Sequence, residues 1–428
     1  MRDLPSAPED WLNIVLEPMQ DLHLRVVMDF EGTLDAPRFA RAVRLSMEAE
    51  PVLGCRFVGG VWRARWERRD DLDSIDLCAL VASDDVGRDL TAFLATRLKP
   101  FRDPLVRARI FRSASGNDTV CVKLCHGAGD GIAFKEYLSL LAGIYRRLET
   151  DPAYVPGPDP RACRTQSQVL RRFPVHEKLR SMFFETIRRD SWSFPYENAA
   201  RTRPTFSERT LEPEAFTEVL AAARRKRVSV NDVIVTAFFR AMFAAAEPRP
   251  GIPHTVFIPV DLRRYLPAKR TFALCNLFSY IILDMPRRPG APFDQTLAEV
   301  HGFFEAEKSR SPGLGFAVFM EALGFTGYGA YRLFATARVL GSKLSGNAYP
   351  TISNMGVWDP DSMVFPGTSL RAVRLYSPIA YPPTFTIIAG SFRNALTLTC
   401  SYCADAVRQG AVEECLDRMV LEIRTAAQ

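Results

Sequence analysis

Hydrophobic positions recur with two different periods along the 428-residue chain. Leu24, Val26, Met28 and Phe30 alternate with Arg25 and Asp29, the spacing of a half-buried strand. Phe39, Val43 and Met47 follow at helical spacing, behind Asp35 as a cap and Pro37 in the first turn. Strand alternation returns around Gly59-Gly60, and residues 90–98 read as a short helix. Val106, Ala108 and Ile110 alternate with Arg107 and Arg109 up to a turn at 113–117. Val120, Val122 and Leu124 then alternate with Cys121, Lys123 and Cys125, the second arm of a hairpin. His126 continues the Val122–Leu124 face, and Gly127, Gly129 and Gly131 break the pattern as a sharp turn requires. Phe134, Leu138, Leu141, Tyr145 and Leu148 mark the helix that follows.

A second series follows a break. Residues 151–160 hold four prolines and a glycine, a linker by composition. Residues 161–203 are Arg-rich and partly helical through Leu179, Met182, Phe183 and Ile187, with the charge read as a solvated face. Helices are predicted over 216–227, over a stretch carrying Val235, Phe238 and Met242, and at Phe293, Leu297, Val300 and Phe304. Asn231 and Asp232 read as the cap of the second of these. Strands are predicted at 255–260, 278–285, 351–356, 385–388 and 396–402, and a last helix through Val412, Leu416, Met419 and Ile423. Residues 314–340 are mostly apolar, broken by glycines and by Glu321, Arg332 and Arg338. Those charges and the glycines argue against a spanning helix, and the stretch reads as a buried or lid helix pair in preference to a membrane-surface segment. Strands and helices mix in both halves, so the fold class is α/β in two lobes of similar kind: residues 1–155, a crossover at 156–203, and residues 204–428.

Composition narrows the functional classes. A hydrophobic share of 47% with 24% charged residues is ordinary for a packed protein. The net charge of +6 suits an anionic co-substrate or an acidic protein partner and is too dispersed for nucleic acid. Nine cysteines without framework spacing, behind a start Met1-Arg2-Asp3-Leu4 that has no apolar leader, predict a reduced, cytoplasmic setting. Cys400 and Cys403 have metal-like spacing but no companions, so no metal site is expected.

The chemistry-bearing candidate is His126, held at the end of a strand with Asp130 and Gly131 at the start of a helix. A lone histidine there is more often a core side chain bonded to a carbonyl; a general base is the other reading. Ser353 and Asn354 meet a turn and can donate to an oxyanion or simply shape that turn. Asn231 has a minor substrate reading beside its capping one. Arg224, Arg225, Lys226 and Arg227 are either a solvated helix end or a contact for the phosphates of coenzyme A or for an acidic carrier protein.

His126-x-x-x-Asp130-Gly131 resembles the HxxxDG motif of the chloramphenicol acetyltransferase-like superfamily, which includes condensation domains, wax ester synthases and alcohol acetyltransferases. The stretches Arg102–Arg109, Val228–Val233, Pro259–Arg263, Asn276 and Ser353–Gly356 resemble family segments in the family's order. The resemblance implies two chloramphenicol acetyltransferase-like lobes, each an α+β two-layer sandwich, with the active site in a tunnel between them. It implies transfer of an acyl group from a thioester to an alcohol or amine, with His126 as general base. It implies a buried ion pair of Asp130 with Arg263, preferred over Asp130 orienting His126, and a site role for Asn276. No tightly bound cofactor is expected; acyl-CoA or an acyl-carrier thioester is the co-substrate. The family's first motif histidine is replaced by Cys125, which points toward the alcohol acetyltransferase-like branch. A free-standing condensation enzyme using a carrier-bound donor, and an inert binding module, are the competing readings.

Overall fold

The structure, a computed structural model, describes residues 3–184 and 192–427. Ile187, placed by its spacing in a helix, lies outside the described residues; the helix there runs Val175–Phe184. Two sheets form the frame. One has five strands in the order Ser369–Tyr376, His23–Glu31, Asp118–Cys125, Val106–Ser113, Cys78–Ser83. The other has six, in the order Phe278–Pro286, Pro253–Asp261, Thr351–Trp358, Thr386–Phe392, Ala395–Cys403, Pro204–Leu211.

The first sheet packs the predicted face of Val26, Met28, Val120, Val122 and Leu124 against helices Ala36–Ala49 and Gly131–Thr150 in one core. Strand His23–Glu31 is more than half buried. Its other face carries Val27 and Arg25, with Lys123 on the neighbouring strand, covered by helix Val86–Ala95, and burying the two charges requires partners. Arg25 Nε donates to the Leu94 carbonyl at 2.7 Å, and Lys123 Nζ to the carbonyl and hydroxyl of Thr96, both at 2.7 Å. Burial pulls the Lys123 pKa down to about 7.

The second sheet packs Ile258, Ile281, Ile387, Leu398 and Cys400 against helices Val230–Ala246 and Gln409–Thr425. Helix Val230–Ala246 is capped by Ser229, not by Asn231. Ser229 Oγ accepts from the Asp232 N–H at 3.1 Å and Asp232 Oδ2 accepts from the Ser229 N–H at 2.9 Å, a reciprocal capping box.

The chain does not divide cleanly at residue 204. Strand Ser369–Tyr376 leaves the second half and pairs antiparallel with His23–Glu31 at the edge of the first sheet. Leu274, Met320, Tyr328, Tyr331 and Met355 likewise join the first lobe's core. Helices Leu314–Gly324 and Tyr328–Ser345 lie across the junction. Among the described residues no single helix is long and apolar enough to cross a membrane.

Candidate active site

Strand Asp118–Cys125 ends one residue before the histidine, so His126 opens a turn and does not extend the strand. Its N–H donates to the Leu22 carbonyl at 2.7 Å, which fixes the backbone below the ring. Gly127 is needed for close approach: a Cβ there would lie 2.9 Å from Ile14 Cδ1. Asp130 then caps helix Gly131–Thr150, its Oδ1 accepting from the Ala133 N–H at 2.8 Å.

The second oxygen of Asp130 turns to the other half of the chain. Oδ2 accepts from Arg263 Nη1 at 3.0 Å and from the Leu277 N–H at 2.7 Å. Arg263 is 1% exposed and also donates to Asp261 Oδ1 at 3.0 Å and to the Cys275 carbonyl at 3.2 Å. Burial opposes the guanidinium charge, but Asp130, Asp261 and Glu136 more than offset it and hold its pKa above the usual arginine range. Asp130 thus ties the loop to the opposite lobe and does not bond to His126.

A second tie was not foreseen from the residue pattern. Asn276 is fully buried and donates to the Gly127 carbonyl and to Asp10 Oδ1, both at 3.2 Å. Asp10 also accepts from Trp66 Nε1 at 2.8 Å and from Arg164 Nη2 at 3.0 Å. Arg164 in turn donates to the carbonyls of Ala128, at 3.0 Å, and Leu274. Arg164 falls in the stretch whose charge predicts a solvated face, yet its side chain is largely buried, where it satisfies the Ala128 and Leu274 carbonyls and the Asp10 carboxylate. Asp10 and Asn13 ride on helix Pro8–Val15, whose sequence signals are Pro8 at the first position and Asp10 returning to the Ala7 N–H.

These ties place His126 on the floor of a cavity of about 370 Å³ between the lobes. Leu12, Asn13 and Leu24 line it from one side, and Phe257, Phe278, Tyr280, Ser353 and Asn354 from the other. Helices Leu314–Gly324 and Tyr328–Ser345 roof it through Phe316, Phe319, Tyr331 and Phe334. The wall is mainly apolar and aromatic, as expected of a site for an apolar ligand. His126 Nδ1 is buried without an aligned hydrogen-bond partner. Burial pushes the imidazole pKa below its ordinary 6.5, against the weaker pull of its own main chain, Asp130 and Asn276. The ring is therefore neutral at pH 7 and able to take a proton.

The remaining candidates separate. Ser353 Oγ has only a weak contact with Met355 Sδ at 3.8 Å, so its hydroxyl stays available to a ligand. Asn354 Nδ2 donates to Asn231 Oδ1 at 3.3 Å, which gives Asn231 a supporting place behind the wall. Arg224, Arg225, Lys226 and Arg227 are exposed and none lines the cavity; Lys226 pairs with Asp294 at 2.7 Å. Cys125 is in the core, with its thiol pushed up to about 12 by burial. Among the described residues no three His, Cys, Asp or Glu side chains converge as a metal site.

No protein-family model and no curated protein sequence matches the chain. Solved structures do. The first condensation domain of the calcium-dependent antibiotic synthetase, in complex with a substrate analogue, is similar at TM-score 0.74 and 18% identity, over 99% of this chain and 96% of that one. The TRI3 trichothecene 15-O-acetyltransferase from Fusarium sporotrichioides is similar at 0.74 and 11%, over 100% and 95%. Polyketide synthase associated protein 5 from Mycobacterium tuberculosis is similar at 0.66 and 14%, over 97% and 98%. The chain has the two-lobed chloramphenicol acetyltransferase-like fold that these condensation and acetyltransferase structures share.

Proposed function

We propose that the protein is an acyltransferase that moves an acyl group from a thioester, acyl-CoA, to the hydroxyl or amine of an apolar acceptor, with His126 as general base. The observation that carries the reading is a neutral imidazole, its Nδ1 without an aligned hydrogen-bond partner, on the floor of an apolar cavity between the lobes. His126 takes the proton of the acceptor as its oxygen or nitrogen attacks the thioester carbonyl. The carbonyl π electrons move onto oxygen, and Ser353 Oγ donates to that oxyanion. The intermediate collapses to ester or amide, the carbon–sulfur bond breaks, and the imidazolium returns its proton to the departing thiolate. Asp130 and Asn276 act by holding the loop; Asn354 and Asn231 shape the opposite wall. The Arg224–Arg227 run is our candidate contact for the phosphates of coenzyme A. We assign the reaction to the cytoplasm, and no resident cofactor takes part.

Similarity to condensation domains favours a second reading, a free-standing condensation enzyme whose donor rides on a carrier protein. A donor competition decides between them. Turnover with acyl-CoA alone, unchanged by added acyl-carrier protein, supports the first. Turnover only with the carrier-bound acyl group supports the second.

A further inference from the structure

The helices that roof the cavity have an outer face as well. Tyr331, Ala335, Val339 and Ser342 of helix Tyr328–Ser345 are buried. At about 100° per residue the face opposite them carries Leu333, Ala337, Leu340 and Leu344. A helix lying on a protein in water turns a polar face outward. This one does the reverse: Leu344 is 79% exposed, and Leu333 and Leu340 are exposed with it. The ridge continues past the helix start. Phe325 is 84% exposed, and the Val61-Trp62 loop is fastened beside it, with Tyr328 N–H donating to the Trp62 carbonyl and Gly329 N–H to that of Val61. Trp62 itself is 76% exposed.

Among the described residues the charge beside this ridge is of one sign. Arg332 and Lys343 lie beside it, and the helix has no Asp or Glu. The described carboxylates nearby stand off the ridge: Glu17 lines a second cavity together with Arg332, and Glu321 is half-buried on the shorter helix. Arg201 lies close enough to Lys343 to add, after burial, to the lowering of its pKa. Exposed leucines with a tryptophan beside them and the cations Arg332 and Lys343 along one edge match an element that sits in the headgroup layer of a bilayer.

We propose that this outer face docks on an anionic lipid surface, with Leu333, Leu340, Leu344, Phe325 and Trp62 in the interface and Arg332 and Lys343 at the phosphates. The preference for a buried or lid pair describes the inner face of these helices and leaves the outer one without a role. Docking sets the roof of the cavity against the membrane, where an apolar acceptor is concentrated. The binding step does not depend on His126 chemistry, so it is tested without substrate.

The test is co-sedimentation of the full chain with phosphatidylcholine vesicles, with and without phosphatidylglycerol. The chain is expected to bind the anionic vesicles, and binding is expected to fall with salt. Replacing Leu333, Leu340 and Leu344 together by Ser is expected to weaken binding at least about tenfold, with an unchanged thermal melt because the three side chains are in water. Arg332→Ala and Lys343→Ala are each expected to cost about fivefold on anionic vesicles. Three results overturn the proposal: no binding to either vesicle, binding indifferent to both sets of variants, or a ridge that mediates self-association or carrier-protein binding while vesicles are ignored.

Discussion

Replacing Asp130 by Ala tests how the His126 loop is held. The carboxylate accepts from the Ala133 and Leu277 N–H groups and from Arg263, and both charged side chains are almost fully buried. Removing it strands the Arg263 charge, a loss of about 3–5 kcal/mol when nothing else compensates. Here Asp261 stays at 3.0 Å and Glu136 at 3.9 Å, so that loss sits at the lower end. The orphaned Leu277 N–H adds about 1 kcal/mol. We expect a net destabilisation of about 4 kcal/mol, read as a lower urea midpoint at unchanged slope. In the double-mutant cycle with Arg263→Met, the two losses should fall short of additivity by about 2 kcal/mol, because the second change removes the stranded charge. An Asp130→Ala protein that unfolds at the parental midpoint, or a cycle that is additive, refutes the ion pair as what fastens the loop.

Other expectations concern neighbouring groups. The His126 pKa lies below 6.5, so the base form persists on mild acidification; the acid limb of kcat/KM should have its midpoint below 6.5, and a midpoint above that value contradicts a desolvated imidazole. Burial raises Glu50 from 4.5 to about 7, although the Leu274 N–H donates to it at 2.8 Å. The folded state therefore binds the extra proton between those values, and its stability declines as pH rises from 4.5 through 7. Glu50→Gln should remove that decline and stabilise the protein at pH 8 by on the order of 1–3 kcal/mol, measured by unfolding at several pH values. Arg164→Met should cost about 3 kcal/mol and slow acyl transfer, because it frees the Ala128 carbonyl and leaves Asp10 without its cation. Parental stability and rate in that variant would remove Arg164 from the account.

The residue pattern carried the local features well and the distant ones poorly. The hairpin Val106–Ser113 to Asp118–Cys125 is legible because its alternation is regular and its turn is marked by Ser, Gly and Asn. Strand Ser369–Tyr376 is not: a bulge between Leu370 and Ala372 breaks its alternation, and its partner strand lies at the other end of the chain. The edge strand Pro204–Leu211 hides for another reason, being mostly polar and half-buried. In the site, Asp130 and Arg263 were readable only through resemblance. Asp10, Asn13 and Arg164 look like ordinary surface residues, and only the tertiary approach of helix Pro8–Val15 to the loop buries them. The cavity wall is built from residues on separate strands, with no local pattern to announce it.

The central claim is that His126 performs acyl transfer in this cavity. Its most direct test is intact-mass analysis of products from acyl-CoA thioesters with mixed apolar alcohols and amines, comparing parent and His126→Ala. We expect the parent to add an acyl mass to an alcohol or an amine, and the variant to lose about 10²–10⁴ in rate while melting like the parent. Equal rates in the two proteins would contradict the account.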